Sequence, residues 1–156
     1  MIYTELTKMA MQIAYDAHYG QVDRGKTPYI FHPMHVAERM KDEDATVVAI
    51  LHDILEDTPV SEELLLRKGI PARLVETVKI LTRRENESYT EYLNRVLNSG
   101  NEIALRVKYA DVLHNLDETR TRTGKLPKYL EDRYTHAEAL LRKAIEAMEE
   151  HDDGRL

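Results

Sequence analysis

"ILHDILED" (residues 50–57) sets one histidine and three carboxylates, His52, Asp53, Glu56 and Asp57, inside the apolar run Ile50, Leu51, Ile54 and Leu55. An ordinary surface helix keeps its charges off the apolar stripe. Two readings suit the stretch: a core helix whose polar side meets water, or a set of groups turned inward to hold something strongly positive. On a helix, residues three and four apart share a face, so His52 lies over Glu56, and Asp53 over Glu56 and Asp57. His52 and Asp53 stand about 100° apart around the axis, near enough for both side chains to converge on one ion beside the helix. Glu56 then sits one turn along, where it can act on a water at that ion. The stretch alone does not choose between the readings.

Helical spacing extends from this segment in both directions. Asp44 is the expected N-cap of a helix from Ala45 to about Asp57, stopped before Pro59. Upstream, residues 3–18 place Leu6, Met9, Ala10, Ile13, Ala14 and Ala17 at spacings of three and four. "YGQVDRGKTPYIFHP" (19–33) reads as an irregular loop. Pro33 suits the first turn of a helix that runs to about Met40. Downstream, Ser61 and Leu64 open a short helix ending near Gly69, and Pro71 starts another through about Leu81. "SYTEYLNRVL" (88–97) is a helix that ends at Gly100, and "NEIALRVKYADVLHNLDETRT" (101–121) a long one closing before Gly124. Residues 128–150 form the last, with Tyr134, Ala137, Leu140, Leu141, Ala144 and Met148 as its stripe. No stretch alternates with period two. The expected fold is all-α, a bundle of five to seven helices, with residues 1–150 as one domain and the tail 151–156 as a frayed end.

Composition narrows the chemistry. The 156 residues suit one core, and 42% apolar with 32% charged residues is an ordinary globular balance. Cysteine is absent, so a metal site must use imidazole and carboxylate ligands. No stretch reaches the roughly 18 apolar residues of a membrane span. The start, "MIYTELTKMAMQIAYDAH", lacks a basic segment and cleavage site, which leads to an expectation of a cytoplasmic protein with no membrane partner. The net charge of −6, with no basic stripe, argues against nucleic-acid binding. A small anionic substrate would need local cations or a metal.

Two further segments bear on the opening question. In "VKYADVLHNL" (107–116), Asp111, His114 and Asn115 share one face among Val107, Ala110, Val112, Leu113 and Leu116. A buried carboxylate needs a partner. Lys108, three residues earlier, could supply one, which explains Asp111 but neither His114 nor Asn115. "PYIFHPMH" (28–35) offers His32 at a loop-to-helix junction, with His35 as the competing candidate. Two imidazoles and two carboxylates, in the order His32, His52–Asp53, Asp111, suit Mn²⁺, Fe²⁺ or Zn²⁺ with positions left open for water and substrate. Without thiolates, a closed structural zinc site fits less well.

With these segments in this order, the chain resembles HD-domain metal-dependent phosphohydrolases, especially the hydrolase domain of the RelA/SpoT alarmone enzymes and their stand-alone small hydrolase relatives. The resemblance runs from about Ala14 to Arg122. It rests on "AHYGQ", "PYIFHP", "VA" (36–37), "LHDILEDT", "LT" (81–82) and "KYADVLHNL". It implies an all-α HD bundle with His32, His52, Asp53 and Asp111 as metal ligands and Mn²⁺ as the usual ion. It favours His32 over His35, because the family's ligand immediately precedes a proline. Glu56, accompanied by Asp57, matches the catalytic acid that positions or activates the attacking water, and Asn115 the residue that holds the ribose or the reaction centre. The reaction implied is removal of pyrophosphate from the 3′ position of ppGpp, so the implied partner is a small phosphorylated nucleotide.

The chain departs from that pattern at two places. Asp23 and Arg24 stand where alarmone hydrolases typically carry "RK", and Asp117 stands where they tend to carry arginine. Each change puts an anion for a cation in a segment expected to face the nucleotide. Arg24, Lys26, Lys108, Arg120 and Arg122 are the candidate compensating cations. The alternative readings are an HD nucleotidase or phosphatase acting on another nucleotide or small phosphate ester, and a non-catalytic nucleotide-binding module. Tyr29, Tyr89, Tyr92 and Tyr109 either stack a base or edge the core. Arg83 and Arg84 either reach phosphate or end a helix.

Overall fold

Every residue from Ala45 to Leu51 is buried in the computed structural model, which describes residues 1–154. A helix that is apolar all round must be surrounded, and this one, α3 (Glu43–Leu51), is the axis of the molecule. Helices α1 (Glu5–Ala17), α2 (Phe31–Glu38), α6 (Ala72–Ile80) and α8 (Glu102–Asn115) pack against it. The remaining helices are α4 (Ile54–Asp57), α5 (Glu62–Arg67), α7 (Tyr89–Leu97) and α9 (Lys128–Asp153), with a 3₁₀ turn at Glu118–Arg120. α9 lies along α8 and α7, and α5 along α6. Ile50, Leu51, Ile54, Leu65, Ile70, Leu74 and Leu141 are the largest fully buried apolar side chains of the core. Among the described residues the only extended pairing is an isolated antiparallel bridge between Val22 and Pro28. No helix there is long and apolar enough to cross a membrane.

The fold is all-α as expected, but the described residues hold nine α-helices rather than five to seven. One reason is that the expected helix 45–57 breaks at His52–Asp53. The His52 ring Nδ1 reaches the Ala49 carbonyl at 2.6 Å, so the ring takes the acceptor that a continuing helix would offer to the Asp53 N–H. Asp53, at φ −100° and ψ −5°, then caps the short α4. The N-cap of α3 is Asp42, not Asp44: Asp42 is extended and accepts the Ala45 N–H at 2.8 Å. Asp44 lies in the first turn and pairs with Arg73. α2 begins at Phe31, ahead of Pro33. α8 ends at Asn115 instead of nearing Gly124, because Asp117 leaves the helical region and its carboxylate caps the following 3₁₀ turn through the Thr119 N–H at 2.9 Å. α9 runs three residues past 150, through Asp153, and Arg155 and Leu156 of the expected frayed tail lie outside the described residues.

Ser61 and Ser88 cap α5 and α7, each accepting the N–H of the third residue on. Gly25 is required by a close approach: a Cβ there would stand 2.0 Å from the Arg120 carbonyl oxygen. That contact ties the loop before α2 to the 3₁₀ turn after α8.

Candidate metal centre and substrate cleft

The break after α3 turns His52 and Asp53 toward the N-terminal end of α2 and the C-terminal half of α8. His32 Nε2 lies 2.9 Å from Asp111 Oδ1 and 3.8 Å from Asp53 Oδ2. His52 Nε2 lies 3.1 Å from Asp53 Oδ1 and 3.5 Å from Asp111 Oδ1. Thus the four residues expected as ligands, drawn from three parts of the chain, meet at one point. His32, His52 and Asp111 are buried, while Asp53 keeps 16% of its side chain exposed and opens the point to a cleft. The ligand atoms of His32, His52 and Asp53 fall within 4.8 Å of one another.

The residues fit a divalent cation. His52 Nδ1 is committed to Ala49, which leaves Nε2 buried with no hydrogen-bond partner. An orphaned buried nitrogen is costly unless something positive meets its lone pair. Burial opposes protonation of His52, yet the Asp53 and Asp111 carboxylates push it well above its ordinary value, so the centre attracts positive charge at that atom. Burial alone would raise the Asp53 carboxyl, but the charge of the neighbouring His52 outweighs it and brings it down to about 2. Asp111, likewise buried, is held well below the carboxylate range by the Lys108 ammonium and the two imidazoles.

Around the ligands stands a supporting ring of hydrogen bonds, as metal centres require. Lys108 Nζ meets Asp111 Oδ2 at 2.8 Å, and Asn115 Nδ2 donates to Asp111 Oδ1 at 3.1 Å. The Tyr29 hydroxyl donates to Asp53 Oδ2. Burial and the Asp53 charge raise its pKa far above the phenol value, so it stays protonated. His32 Nδ1 pairs with His114 Nδ1 at 2.7 Å. Burial, Arg120 and His32 drop His114 to about 3, so it is neutral and one ring donates while the other accepts. The competing His35 is exposed and stacks on His114 with ring centroids 3.9 Å apart.

The cleft over the centre has a volume of about 270 Å³, with Tyr29, Glu56, Asp57, Tyr89, Arg133 and Tyr134 among its walls. Glu56 Oε1 accepts the Arg83 backbone N–H at 2.6 Å. Enclosure by the walls raises the Glu56 carboxyl, and the Arg83 amide partly offsets this. Enclosure, followed by the charges of Asp53 and Glu56, raises Asp57 to about 6. A second compartment of about 260 Å³ shares Tyr29, Asn115 and Tyr134 with the first and is closed by Val22, Leu126 and Leu130.

The expected substrate cations are dispersed. Lys108 is at the cleft but engaged by Asp111. Arg24 is exposed and lines the second compartment. Lys26, exposed at φ +67°, lines neither. Asp23 does local work, accepting the Gly25 and Thr27 N–H groups at 2.8 and 3.0 Å and facing Arg120 at 3.6 Å. Sequence reasoning missed Arg133, whose guanidinium sits 4.6 Å from the Tyr89 ring centre at the cleft wall. It lies on the α9 face opposite no motif, so nothing in the sequence singled it out.

The helical bundle is that of an HD-domain protein. A solved structure of a metazoan orthologue of SpoT that hydrolyses ppGpp superposes with a TM-score of 0.74 at 23% identity, covering 93% of this chain and 88% of that one. By sequence, the chain is a homologue of the guanosine-3′,5′-bis(diphosphate) 3′-pyrophosphohydrolases. It is 35% identical over 116 residues to that of Haemophilus influenzae, covering 67% of this chain and 17% of the relative. It is 31% identical over 140 residues to that of Borreliella burgdorferi, covering 80% and 20%. It is 34% identical over 122 residues to the bifunctional (p)ppGpp synthase/hydrolase SpoT of Escherichia coli, covering 70% and 17%. The chain therefore spans no more than about a fifth of the length of these curated relatives. No protein-family model matches it.

Proposed function

We propose that the chain is a Mn²⁺-dependent hydrolase that removes pyrophosphate from the 3′ position of a guanosine tetraphosphate-like alarmone, and that it works in the cytoplasm. The observation that carries this reading is the meeting of His32, His52, Asp53 and Asp111 at the floor of a cleft, with the buried His52 Nε2 lacking a partner. One relative is named for both synthesis and hydrolysis, and a centre of two imidazoles and two carboxylates suits hydrolysis. The mixed nitrogen and oxygen donors suit Mn²⁺, Fe²⁺ and Zn²⁺ alike, and Mn²⁺ is our reading from the resemblance to the alarmone hydrolases, whose usual ion it is.

His32, His52, Asp53 and Asp111 would hold a divalent cation, which when bound would supply Lewis acidity that lowers the pKa of water and offsets charge on phosphoryl oxygens. The chain's own groups do the rest. Lys108 neutralises Asp111, so the centre opposes an anionic substrate less than its two carboxylates suggest. Glu56, with its raised pKa and fixed carboxylate, accepts a proton from the attacking water. Asp57 stands beside it. Water oxygen bonds to phosphorus, the bond from phosphorus to the 3′ oxygen breaks, and that oxygen leaves with a proton as the nucleoside hydroxyl. Asn115 joins the two compartments, where a ribose between phosphate and base would lie.

Incubation with ppGpp should release pyrophosphate and GDP in Mn²⁺ and release none in excess chelator. Glu56→Ala should lower kcat by about 10²–10⁴-fold. The acids at Asp23 and Asp117, in the second compartment, favour a second reading in which another nucleotide is the substrate. Inertness toward ppGpp, with cleavage of a different phosphate ester in a nucleotide panel, would select that reading. Binding of nucleotides without turnover of any would select a binding module instead.

A further inference from the structure

We propose that Arg95 and Glu87 are positioning residues that hold Glu56 through the loop between α6 and α7, an inference that rests on Glu56 acting as the water-directed acid. The guanidinium of Arg95, on α7, grips both Glu87 oxygens, with Nε donating at 2.8 Å and Nη2 at 2.9 Å. This is the two-pronged pairing that fixes geometry as well as charge. The same guanidinium donates to the carbonyls of Ile80 and Thr82, both at 2.9 Å. Ile80 ends α6, and its carbonyl is among those that the helix itself cannot satisfy. Arg95 therefore fastens the end of α6, the start of the loop and its far side together.

Glu87 passes the constraint on. Its Oε1 accepts the Arg84 N–H at 2.9 Å, and its carbonyl accepts Arg83 Nε at 2.8 Å. The Arg83–Arg84 peptide is thus held by Glu87 and the preceding Thr82–Arg83 peptide by Arg95 at its carbonyl, and the N–H of that preceding peptide, on Arg83, donates to Glu56 Oε1 at 2.6 Å. Residues 83–86 are all exposed, so apolar packing does not set their path. Arg95 and Glu87 are far less open, with 20% and 9% of their side chains exposed. A backbone amide is lost only on substitution to proline, and this one engages a single oxygen of Glu56, a residue of the cleft wall.

The test compares wild type, Arg95→Met, Glu87→Gln, Glu56→Ala and the Arg95→Met/Glu56→Ala double variant. With ppGpp and Mn²⁺, Arg95→Met and Glu87→Gln should each lower kcat by about 10–100-fold, with KM and bound Mn²⁺ within about twofold of wild type. In the Glu56→Ala background Arg95→Met should cost nothing further, since coupled residues are not additive. Independently of turnover, the Arg83 amide proton should move upfield and exchange faster in Arg95→Met, while core amides of α3 keep their protection. Should Arg95→Met fail to fold, Glu87→Gln carries the same tests. Wild-type kcat with an unmoved Arg83 amide would overturn the clamp, as would an equal loss in both backgrounds. Unchanged turnover in Glu56→Ala would instead defeat the assigned role of Glu56, and the amide signal would still decide whether Arg95 holds it.

Discussion

Asp111 is the most constrained residue of the centre, meeting Lys108, Asn115 and His32 at once. Removing one member of a buried ion pair strands the other charge, at about 3–5 kcal/mol. Lys108→Met should therefore destabilise the chain strongly in chelator, and less in Mn²⁺, where a cation faces the same carboxylate. Urea unfolding in both conditions checks this. Asp57 makes the opposite kind of prediction. Its carboxyl is raised from 3.8 to about 6, so the native state binds the proton more tightly than the unfolded chain. Its contribution then falls as pH rises from about 4 through 6. Asp57→Asn removes that loss, so in chelator the variant should melt above wild type at pH 8, and the gap should close by pH 4. A constant gap would deny the raised pKa. The 50–57 stretch alone left a core helix with a wet polar side open, and the four residues that meet here were singled out by their order along the chain and by the resemblance to the HD phosphohydrolases. The His32–His114 contact and the Arg95–Glu87 fork were not, since neither pair shares a helix face or a local motif.

Among the elements, those set by local chemistry read correctly from sequence. α1 follows its apolar spacing and Ser61 opens α5, while Ser88, expected as the first residue of its helix, stands just before α7 as the cap. The break in the 45–57 segment was hidden because its cause is a side chain, the His52 ring bonding to the Ala49 carbonyl, and no Gly or Pro marks it. The end of α8 was hidden for a similar reason: Asp117 reads as an ordinary helix residue until its carboxylate is seen capping the next turn. Asp23 and Asp117, which oppose a nucleotide on charge alone, both organise the loop and turn beside the second compartment. Gly25→Ala tests that pairing of loop and turn. A methyl 2.0 Å from the Arg120 carbonyl must push the two apart, raising KM for nucleotide several-fold while bound metal stays at the wild-type level. An unchanged KM would separate this loop from substrate binding.

At the scale of the whole molecule, the bundle brings α2, α3 and α8 together around one buried point. Apolar residues surround α3 on every side, so its C-terminal end is fixed before any ligand arrives. The polar centre is the part left incomplete, with carboxylates gathered around a nitrogen that has no partner. A cation that binds only the folded chain stabilises it in proportion to the logarithm of its concentration, by about 2.7 kcal/mol at a hundred times Kd. The most direct measurement is anomalous diffraction at the manganese absorption edge from crystals grown in Mn²⁺. One peak per chain, enclosed by His32, His52, Asp53 and Asp111 and lost in Asp53→Ala, is the predicted result. No peak there, or a peak that survives Asp53→Ala, would contradict it.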